Sequence, residues 1–253
     1  MRKLKILVGY EFQRFFVSPF FYAICALFLF LMGVIFLFSL KIYADFQQED
    51  PLVLQLFKSM WLPFLLVIPI LTTKAIASEK IEKIFDSLLV LRVGSFLIIF
   101  SKFIAIYCVH CVLWTVVIYF PEIAQNCSVT LAQFNNFVTP QIRWGGWLFV
   151  NLLGGVVIAF GLLVSARAKM PATAMAATAV GVFLFLVLGQ FFKQASTIAS
   201  KGTEIFETLY SNWNVFFQLE DFCRGIFDSR VIVAYVAITL GILGITALIL
   251  RDN

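Results

Sequence analysis

The sequence predicts an all-α integral membrane protein with six transmembrane helices, and three observations support this fold class. The 253-residue chain is 62% hydrophobic and 13% charged, with a mean hydropathy of +0.97, whereas soluble domains are about 45–50% apolar and about 25% charged. Its first apolar run, over residues 20–40, has 21 uncharged residues, enough for a bilayer of about 30 Å at about 1.5 Å per residue. No stretch of the sequence is long and polar enough for a soluble catalytic domain. We therefore expect a single transmembrane domain over residues 1–253.

The first predicted element is an interfacial helix from Met1 to Val17. Its apolar side chains share one arc of the helical wheel: Leu4, Leu7, Val8, Phe12 and Phe15. Glu11 falls inside this arc, so it must either reach toward the headgroups or form a fixed ion pair with another cytoplasmic segment. Ser18-Pro19 is expected to break the helix and turn the chain.

Six apolar segments follow as predicted spans, over residues 20–40, 59–73, 96–120, 144–166, 171–192 and 231–250. The second contains Pro63 and Pro69, so we expect a kinked or broken helix that either fits its neighbours or lines a substrate path. The fourth is rich in glycine, which favours close helix packing. Asn151 within it predicts an interhelical hydrogen bond or a substrate contact.

The polar segments between the spans predict the orientation. Residues 41–58 are expected to form a polar loop, and residues 193–230 to form short helices that dip back toward the membrane. If both termini are cytoplasmic, 12 of the 19 Lys and Arg residues lie on the cytoplasmic side. Cytoplasmic loops are enriched in Lys and Arg, so this orientation is the one we expect.

A charged, patterned stretch from Ala77 to Ser101 separates spans two and three. On a helix its apolar and polar side chains fall on opposite arcs, with the apolar arc formed by Ile81, Ile84, Phe85, Leu88 and Leu89. The pattern fits a surface helix lying in the headgroups. It also fits a docking helix that offers apolar anchors to a cytoplasmic partner, and the predicted orientation favours this second interpretation.

Motifs for catalysis are absent from the sequence. It has no GxxxxGK[ST], HExxH or GxSxG, so neither ATP binding of that kind nor hydrolysis is expected of this chain. His110 lies between Cys108 and Cys111, but one helix cannot aim all three at one metal, so a buried helical cluster is expected. Cys127 and Cys223 fall in outer loops and could form a disulfide in an oxidising compartment. We expect no catalytic residue, metal or cofactor in the chain.

Three blocks of the sequence carry a resemblance to a known family. The first consists of Glu11-Phe12, Phe16, Ser18-Pro19 and Tyr22. The second is Ala77 to Val93, in which the matching residues are Glu79-Lys80, Asp86, Leu88-Leu89 and Val93, while Lys83-Ile84 and Arg92 replace the usual Gly-Thr and Pro. The third is Glu220 to Asp228, followed by Arg230 and Tyr235. In this order the blocks resemble permease subunits of type 2 ABC exporters, particularly those of gliding-motility and nitrous-oxide-reductase maturation systems.

The resemblance implies a bacterial inner-membrane protein that works with two kinds of partner. Ala77 to Ser95 would be the coupling helix, docked on a separate cytoplasmic P-loop ATPase that holds ATP and Mg. A second permease subunit, identical or not, would complete the transporter. The residues implied in coupling are Glu79, Lys80, Ile81, Phe85, Asp86, Leu88 and Leu89. Those implied in fixing the outer re-entrant helices are Glu220, Phe222, Arg224, Gly225 and Asp228.

A membrane scaffold or mechanotransmission subunit is the rival hypothesis. In that hypothesis the same loop anchors a cytoplasmic complex and nothing is transported. A transporter should have a water-accessible route past Asn151, Pro63 and Pro69, whereas a scaffold should not.

Overall fold

The computed structural model describes residues 2–45, 51–81, 94–127, 140–198 and 214–252. Within these ranges the chain forms ten helices, which confirms the all-α prediction. In chain order they are α1 (Arg2–Val17), α2 (Pro19–Asp45), α3 (Leu52–Lys58), α4 (Trp61–Ile81), α5 (Ser95–Val117), α6 (Phe120–Cys127), α7 (Pro140–Arg167), α8 (Pro171–Ile198), α9 (Val215–Cys223) and α10 (Ser229–Asp252).

Four segments among the described residues are long and apolar enough to cross a membrane, namely Pro19–Ile42, Ser95–Ala124, Pro140–Arg167 and Ser229–Leu250. A fifth is obtained if α3 and α4, which meet at an angle of 44°, count as one broken span. In α8 a shorter apolar helix covers Pro171–Val187. The chain therefore has the helices of a multi-pass membrane protein, while the count of six spans remains a prediction.

The predicted polar loop over residues 41–58 is helical at both ends, because α2 continues to Asp45 and α3 occupies Leu52–Lys58. This helix buries five apolar side chains, Leu52, Val53, Leu54, Leu56 and Phe57. The acidic residues within this stretch, Asp45, Glu49 and Asp50, favour a loop, but the seven residues of α3 carry so much apolar surface that they gain more by packing than by facing water. The hydrogen-bond pattern of α3 ends at Ser59 and Met60, whose amides donate to carbonyls of α3.

The second predicted span is broken, as its two prolines predicted, since α3 and α4 meet at an angle of 44°. The break at Ser59-Met60 precedes Pro63, which lies in the first turn of α4, where an amide hydrogen is not needed. Pro69 lies inside α4, which nevertheless continues to Ile81. The kinked or broken helix predicted from Pro63 and Pro69 is therefore confirmed as a broken one, and the break includes Ser59, whose carbonyl the Pro63 ring would meet in a continuous helix.

Helix α7 is central to the bundle and packs against α4, α5, α8, α9 and α10. Its glycines allow this, since a Cβ on Gly145 would overlap the backbone of Phe222 and a Cβ on Gly154 would overlap the ring of His110. The prediction of close packing from the glycines of the fourth span is confirmed.

Contacts between helix termini define two ends of the bundle. At one end, which we call the α1 end, α1 meets the start of α5 through Glu11 and Lys102. The end of α4 meets the end of α7 there through Ala77 and Ser165. At the other, the α9 end, α9 packs against α3 and the start of α7 and is hydrogen-bonded to α10.

Candidate functional site

An ion pair buried between α1 and α5 anchors the α1 end. Lys102 Nζ donates to Glu11 Oε1 at 2.7 Å, and the two side chains are 0% and 3% exposed. Two charges so far from water are tolerated only as a pair with additional hydrogen bonds, and Lys102 does make further contacts. Of the two arrangements predicted for the Glu11 side chain, the structure shows the fixed ion pair.

Hydrogen bonds at the Ser18 corner fix the orientation of α1 relative to α2. The Ser18 amide donates to the Phe15 carbonyl and the Ser18 carbonyl accepts from the Phe21 amide, each at 3.1 Å. The Tyr22 hydroxyl donates to the Phe16 carbonyl at 2.9 Å, so α2 holds the last turn of α1. The break predicted at Ser18-Pro19 is confirmed. Aromatic rings surround the corner, with contacts Phe12–Phe16, Phe15–Phe21 and Phe16–Phe21.

A cleft opens beside this corner, between α1, α2 and α4. Lys74 Nζ on α4 lies 3.5 Å from Ser18 Oγ and 3.6 Å from the centre of the Phe20 ring. The cleft has a volume of about 60 Å³ and combines charged and apolar walls, formed by Glu11, Arg14, Phe15, Ser18, Phe20, Phe21, Ile24, Leu71, Lys74 and Ala75. It is an amphipathic site at the terminus of two apolar helices.

The start of the predicted coupling stretch is continuous with α4. Ala77 does not begin a new helix, because α4 runs from Trp61 to Ile81 without a break, so the backbone of Glu79, Lys80 and Ile81 is its last turn. The buried amide of Ala77 donates to Ser165 Oγ on α7 at 3.0 Å. The other predicted coupling residues, Phe85, Asp86, Leu88 and Leu89, lie outside the described residues.

At the α9 end, Glu220 and Phe222 join α9 to its neighbours. Glu220 Oε1 pairs with Lys58 Nζ of α3 at 2.8 Å, while Arg224 lies 4.0 Å from the second Glu220 oxygen. The buried Phe222 ring lies 5.2 Å from Phe149 of α7, centre to centre. The Tyr235 hydroxyl of α10 donates to Gln218 Oε1 at 2.8 Å. These contacts attach α9 to three other helices.

Gly225 and Asp228 shape the turn from α9 to α10. Gly225 has φ +84°, and the Gly225 and Ile226 amides donate back to the Phe222 and Asp221 carbonyls at 3.1 and 2.9 Å. This is the pattern of a helix ended by a left-handed glycine. Asp228 Oδ1 accepts from the Arg230 amide at 2.8 Å and so caps α10. Arg224 is exposed.

The interior positions predicted as a substrate path are tightly enclosed. Pro63 and Pro69 are buried on α4. Asn151 is 4% exposed, and its Nδ2 donates to the Trp147 carbonyl at 2.7 Å, which is a bond within α7 rather than the interhelical one expected. Its Oδ1 has no partner among the described residues. The interhelical bond is made one turn earlier, where Trp147 Nε1 donates to Thr115 Oγ1 at 3.1 Å.

His110 lies in an aromatic cluster in the centre of the bundle. Its ring is 5.6 Å from that of Phe64 and 6.2 Å from that of Trp114, and its Nε2 has no hydrogen-bond partner within the described ranges. Cys108 and Cys111 are free thiols. Among the described residues no three His, Cys, Asp or Glu side chains are grouped so as to hold a metal.

Cys223 is a buried free thiol at the end of α9, so the disulfide considered with Cys127 is not formed. The helix directs this cysteine inward, since α9 packs on α7. Burial raises the pKa of the Cys223 thiol to about 12, and the nearby Glu220 carboxylate acts in the same direction.

Sequence reasoning did not identify Lys102, Lys74 or Ser165 as site residues. A signal existed for Lys102, since it is a cation within an apolar run just as Glu11 is an anion within an apolar arc. Two such charges of opposite sign are candidates to pair. Comparison with known proteins adds nothing to this site, because no protein-family model matches the chain and no curated protein is significantly similar to it.

Proposed function

We propose that the chain is the membrane-spanning permease subunit of an ATP-driven exporter in the bacterial inner membrane. It would have six spans, both termini in the cytoplasm and a second permease subunit beside it. ATP and Mg would be bound by a separate cytoplasmic P-loop ATPase, because the chain lacks the phosphate-binding motif. It would therefore not be an enzyme itself.

The continuity of α4 is the observation that carries this proposal. One helix extends from inside the apolar bundle to Ile81, within the segment predicted to dock on the ATPase. The Ala77–Ser165 hydrogen bond ties its last turns to α7, the helix that packs against most others. A displacement of the docking segment would therefore be transmitted to the centre of the bundle.

The mechanism follows from this coupling. ATP would close the dimer of the partner ATPase, and the docking segments would move with it. The spans would then rock between inward-facing and outward-facing states, which the nucleotide biases because the complex makes different contacts in each. Glu79, Lys80, Ile81, Phe85, Asp86, Leu88 and Leu89 would form the docking surface.

One observation favours the second candidate, a scaffold or mechanotransmission subunit. The cavity inside the bundle between α2, α4, α5 and α7 has a volume of only about 10 Å³, at the lower limit of the roughly 10–15 Å³ that one water needs. Its walls are apolar apart from His110. A permease with this interior would have to open substantially or carry its substrate along a boundary with the second subunit.

Co-purification tests the proposal. Purification of the chain from its native membrane is expected to recover a stoichiometric P-loop ATPase with ATPase activity. Phe85→Asp should abolish recovery, because a charge would replace the central apolar anchor. Phe85→Leu, which keeps the anchor apolar, and Ile226→Asp, at the exposed α9 end, should both retain it.

Two results would contradict the permease proposal. Recovery of the ATPase with the Phe85→Asp variant would remove the docking assignment. A preparation that contains no nucleotide-binding partner would favour the scaffold. Membrane insertion of each variant, checked by resistance to alkaline extraction, separates lost docking from failed insertion.

A further inference from the structure

We propose that an ion pair between Arg143 and Glu122, at the α9 end of the bundle, binds the zwitterionic headgroup of phosphatidylethanolamine. Arg143 would hold the phosphate, and Glu122 would accept hydrogen bonds from the ammonium group. This inference does not depend on the proposed function, since it concerns the bilayer and not a cargo.

The charges of this pair favour a zwitterion. Arg143 Nη1, at the start of α7, donates to Glu122 Oε2 of α6. The two side chains are 17% and 46% exposed, so both reach the surface. Because the two charges match each other, a net anion would be repelled by Glu122 and a net cation by Arg143. A group that presents an anion and a cation side by side complements both.

Each member of the pair retains hydrogen-bonding capacity. A guanidinium carries several N–H donors, and an ionised carboxylate accepts more than one hydrogen bond. Arg143 Nε has no hydrogen-bond partner among the described residues, so the guanidinium has donors left for a phosphate, which arginine binds through parallel N–H groups. The rings of Tyr119 and Trp144 already face this guanidinium, at 5.7 and 5.9 Å from its carbon. Glu122 is therefore the group that remains for an ammonium.

The position of the pair fits a headgroup of the bilayer. Glu122 lies near the end of one apolar span, and Arg143 lies near the start of another. Tyr and Trp side chains are enriched where a span meets the headgroups, and Tyr119 and Trp144 beside the pair are both exposed. The pair therefore lies at the level at which lipid phosphates are found.

An exposed apolar row continues from the pair along α5. Val112, Val116 and Tyr119 are exposed, and their spacing places them on one face of the helix. A polar pair above an apolar row fits an amphiphile, with its headgroup on the pair and an acyl chain along the row. A soluble zwitterion would make no use of the row, so the ligand we infer is a lipid.

Lipid binding to the purified full-length chain tests the proposal, with native mass spectrometry in detergent as the measurement. The unaltered chain should bind phosphatidylethanolamine more tightly than phosphatidylglycerol, which has no ammonium. It should also bind it more tightly than phosphatidylcholine, whose methylated ammonium donates no N–H hydrogen bond. Equal binding of the three lipids would overturn the proposal without any variant. Displacement of the lipid by millimolar phosphoethanolamine would also overturn it, because the site would then bind a soluble zwitterion.

Substitution of the two charged residues should change the lipid preference in different ways. Glu122→Gln should weaken phosphatidylethanolamine binding about fivefold and strengthen phosphatidylglycerol binding by a similar factor, on the basis of the usual contribution of one charge near the membrane surface. Arg143→Gln should weaken the binding of both lipids. Arg230→Gln, also exposed at the α9 end, is the matched control and should change neither.

An unchanged ratio of the two lipids in the Glu122→Gln variant would contradict the proposal, because Glu122 would then not receive the ammonium. The helix content and elution volume of each variant, compared with those of the unaltered chain, separate lost binding from failed folding.

Discussion

The pairing of Glu11 with Lys102 shows how a buried charge acts as a positional constraint. Neither residue adds much net stability relative to an apolar pair, because the cost of removing two ions from water offsets their attraction. Each charge makes every position of α1 unfavourable except the one that brings the two together at 2.7 Å. The pair thus specifies where α1 lies on α5.

Replacement of Lys102 alone should be strongly destabilising. Lys102→Met would leave the Glu11 carboxylate buried without its cation, at a cost of about 3–5 kcal/mol. The combined Glu11→Gln, Lys102→Met variant should recover part of this loss, and Lys169→Met, in an exposed turn, should change stability by less than about 0.5 kcal/mol. Titration with a denaturing detergent, monitored by helix content, would measure the changes, and equal losses in the single and combined variants would exclude coupling between the two residues.

Cys223 provides a chemical test of burial at the α9 end. Because its pKa is raised from 9.0 to about 12, the thiolate that reacts with maleimide is about a thousandfold scarcer at pH 8 than in an unperturbed thiol. The alkylation rate should continue to rise as the pH passes 9 rather than level off there, because burial raises the pKa of this thiol. Alkylation in the folded chain is therefore expected to be far slower than after unfolding in dodecyl sulfate, and comparable rates in the two states would contradict the burial of this side chain.

At the scale of elements, α9 is attached to α7 by a close backbone approach. A Cβ on Gly145 would overlap the Phe222 carbonyl, which is backbone and cannot rotate away. At Gly155, on the same helix, the nearest atom would be an ordinary 3.6 Å away. The two positions differ in the space beside the glycine.

Alanine substitutions at these two glycines should therefore have different effects on the stability of the chain. Gly145→Ala is expected to destabilise the chain by about 1–3 kcal/mol, the usual cost of overpacking, and to loosen α9. Gly155→Ala should be neutral or slightly stabilising, because alanine is the better helix former. Unfolding in denaturing detergent, together with proteolysis at the α9–α10 turn, would report both effects, and equal behaviour of the two variants would disprove the close approach.

Helix α4 shows that an amphipathic pattern is insufficient to predict where one helix ends and the next begins. The pattern beginning at Ala77 predicts a helix, but it cannot indicate whether that helix is separate from the span before it. The structure continues α4 to Ile81 because Ala75, Ile76 and Ala77 are buried and the Ala77 amide has a partner on α7. Packing with α7 decides the boundary, and no local pattern contains that information.

At the scale of the whole molecule, the features that the sequence predicted are those set by local composition. Apolar runs mark the membrane helices, Ser18-Pro19 marks the corner, and the glycines of α7 mark a crowded surface. The features it did not predict depend on distant partners. Helix α3 is a helix because α2 and α7 cover it, and the pairing of Lys58 with Glu220 joins residues that no short window contains.

The residues of the candidate site also differ in whether local sequence or a distant partner places them there. Glu11 was singled out because it conflicts with its own helix face, and a conflict of this kind is visible in the sequence. Lys74 became part of the site only because the corner at Ser18 brings Phe20 under its ammonium group. Asn151 was noted for its polarity, yet the structure satisfies its amide nitrogen within one helix turn. Polarity alone does not identify which buried group faces a ligand.

The ion pair at the α1 end also imposes an order on the synthesis of the protein. Glu11 and Lys102 are 91 residues apart in the chain, so at a ribosomal rate of about 5–20 residues per second the carboxylate is made roughly 5–20 seconds before its cation. During that interval the first helix has to keep its carboxylate in contact with water. It can settle against the bundle only after the start of α5 has been translated, so the first helix to be made reaches its final position only after α2, α3 and α4 have also been made.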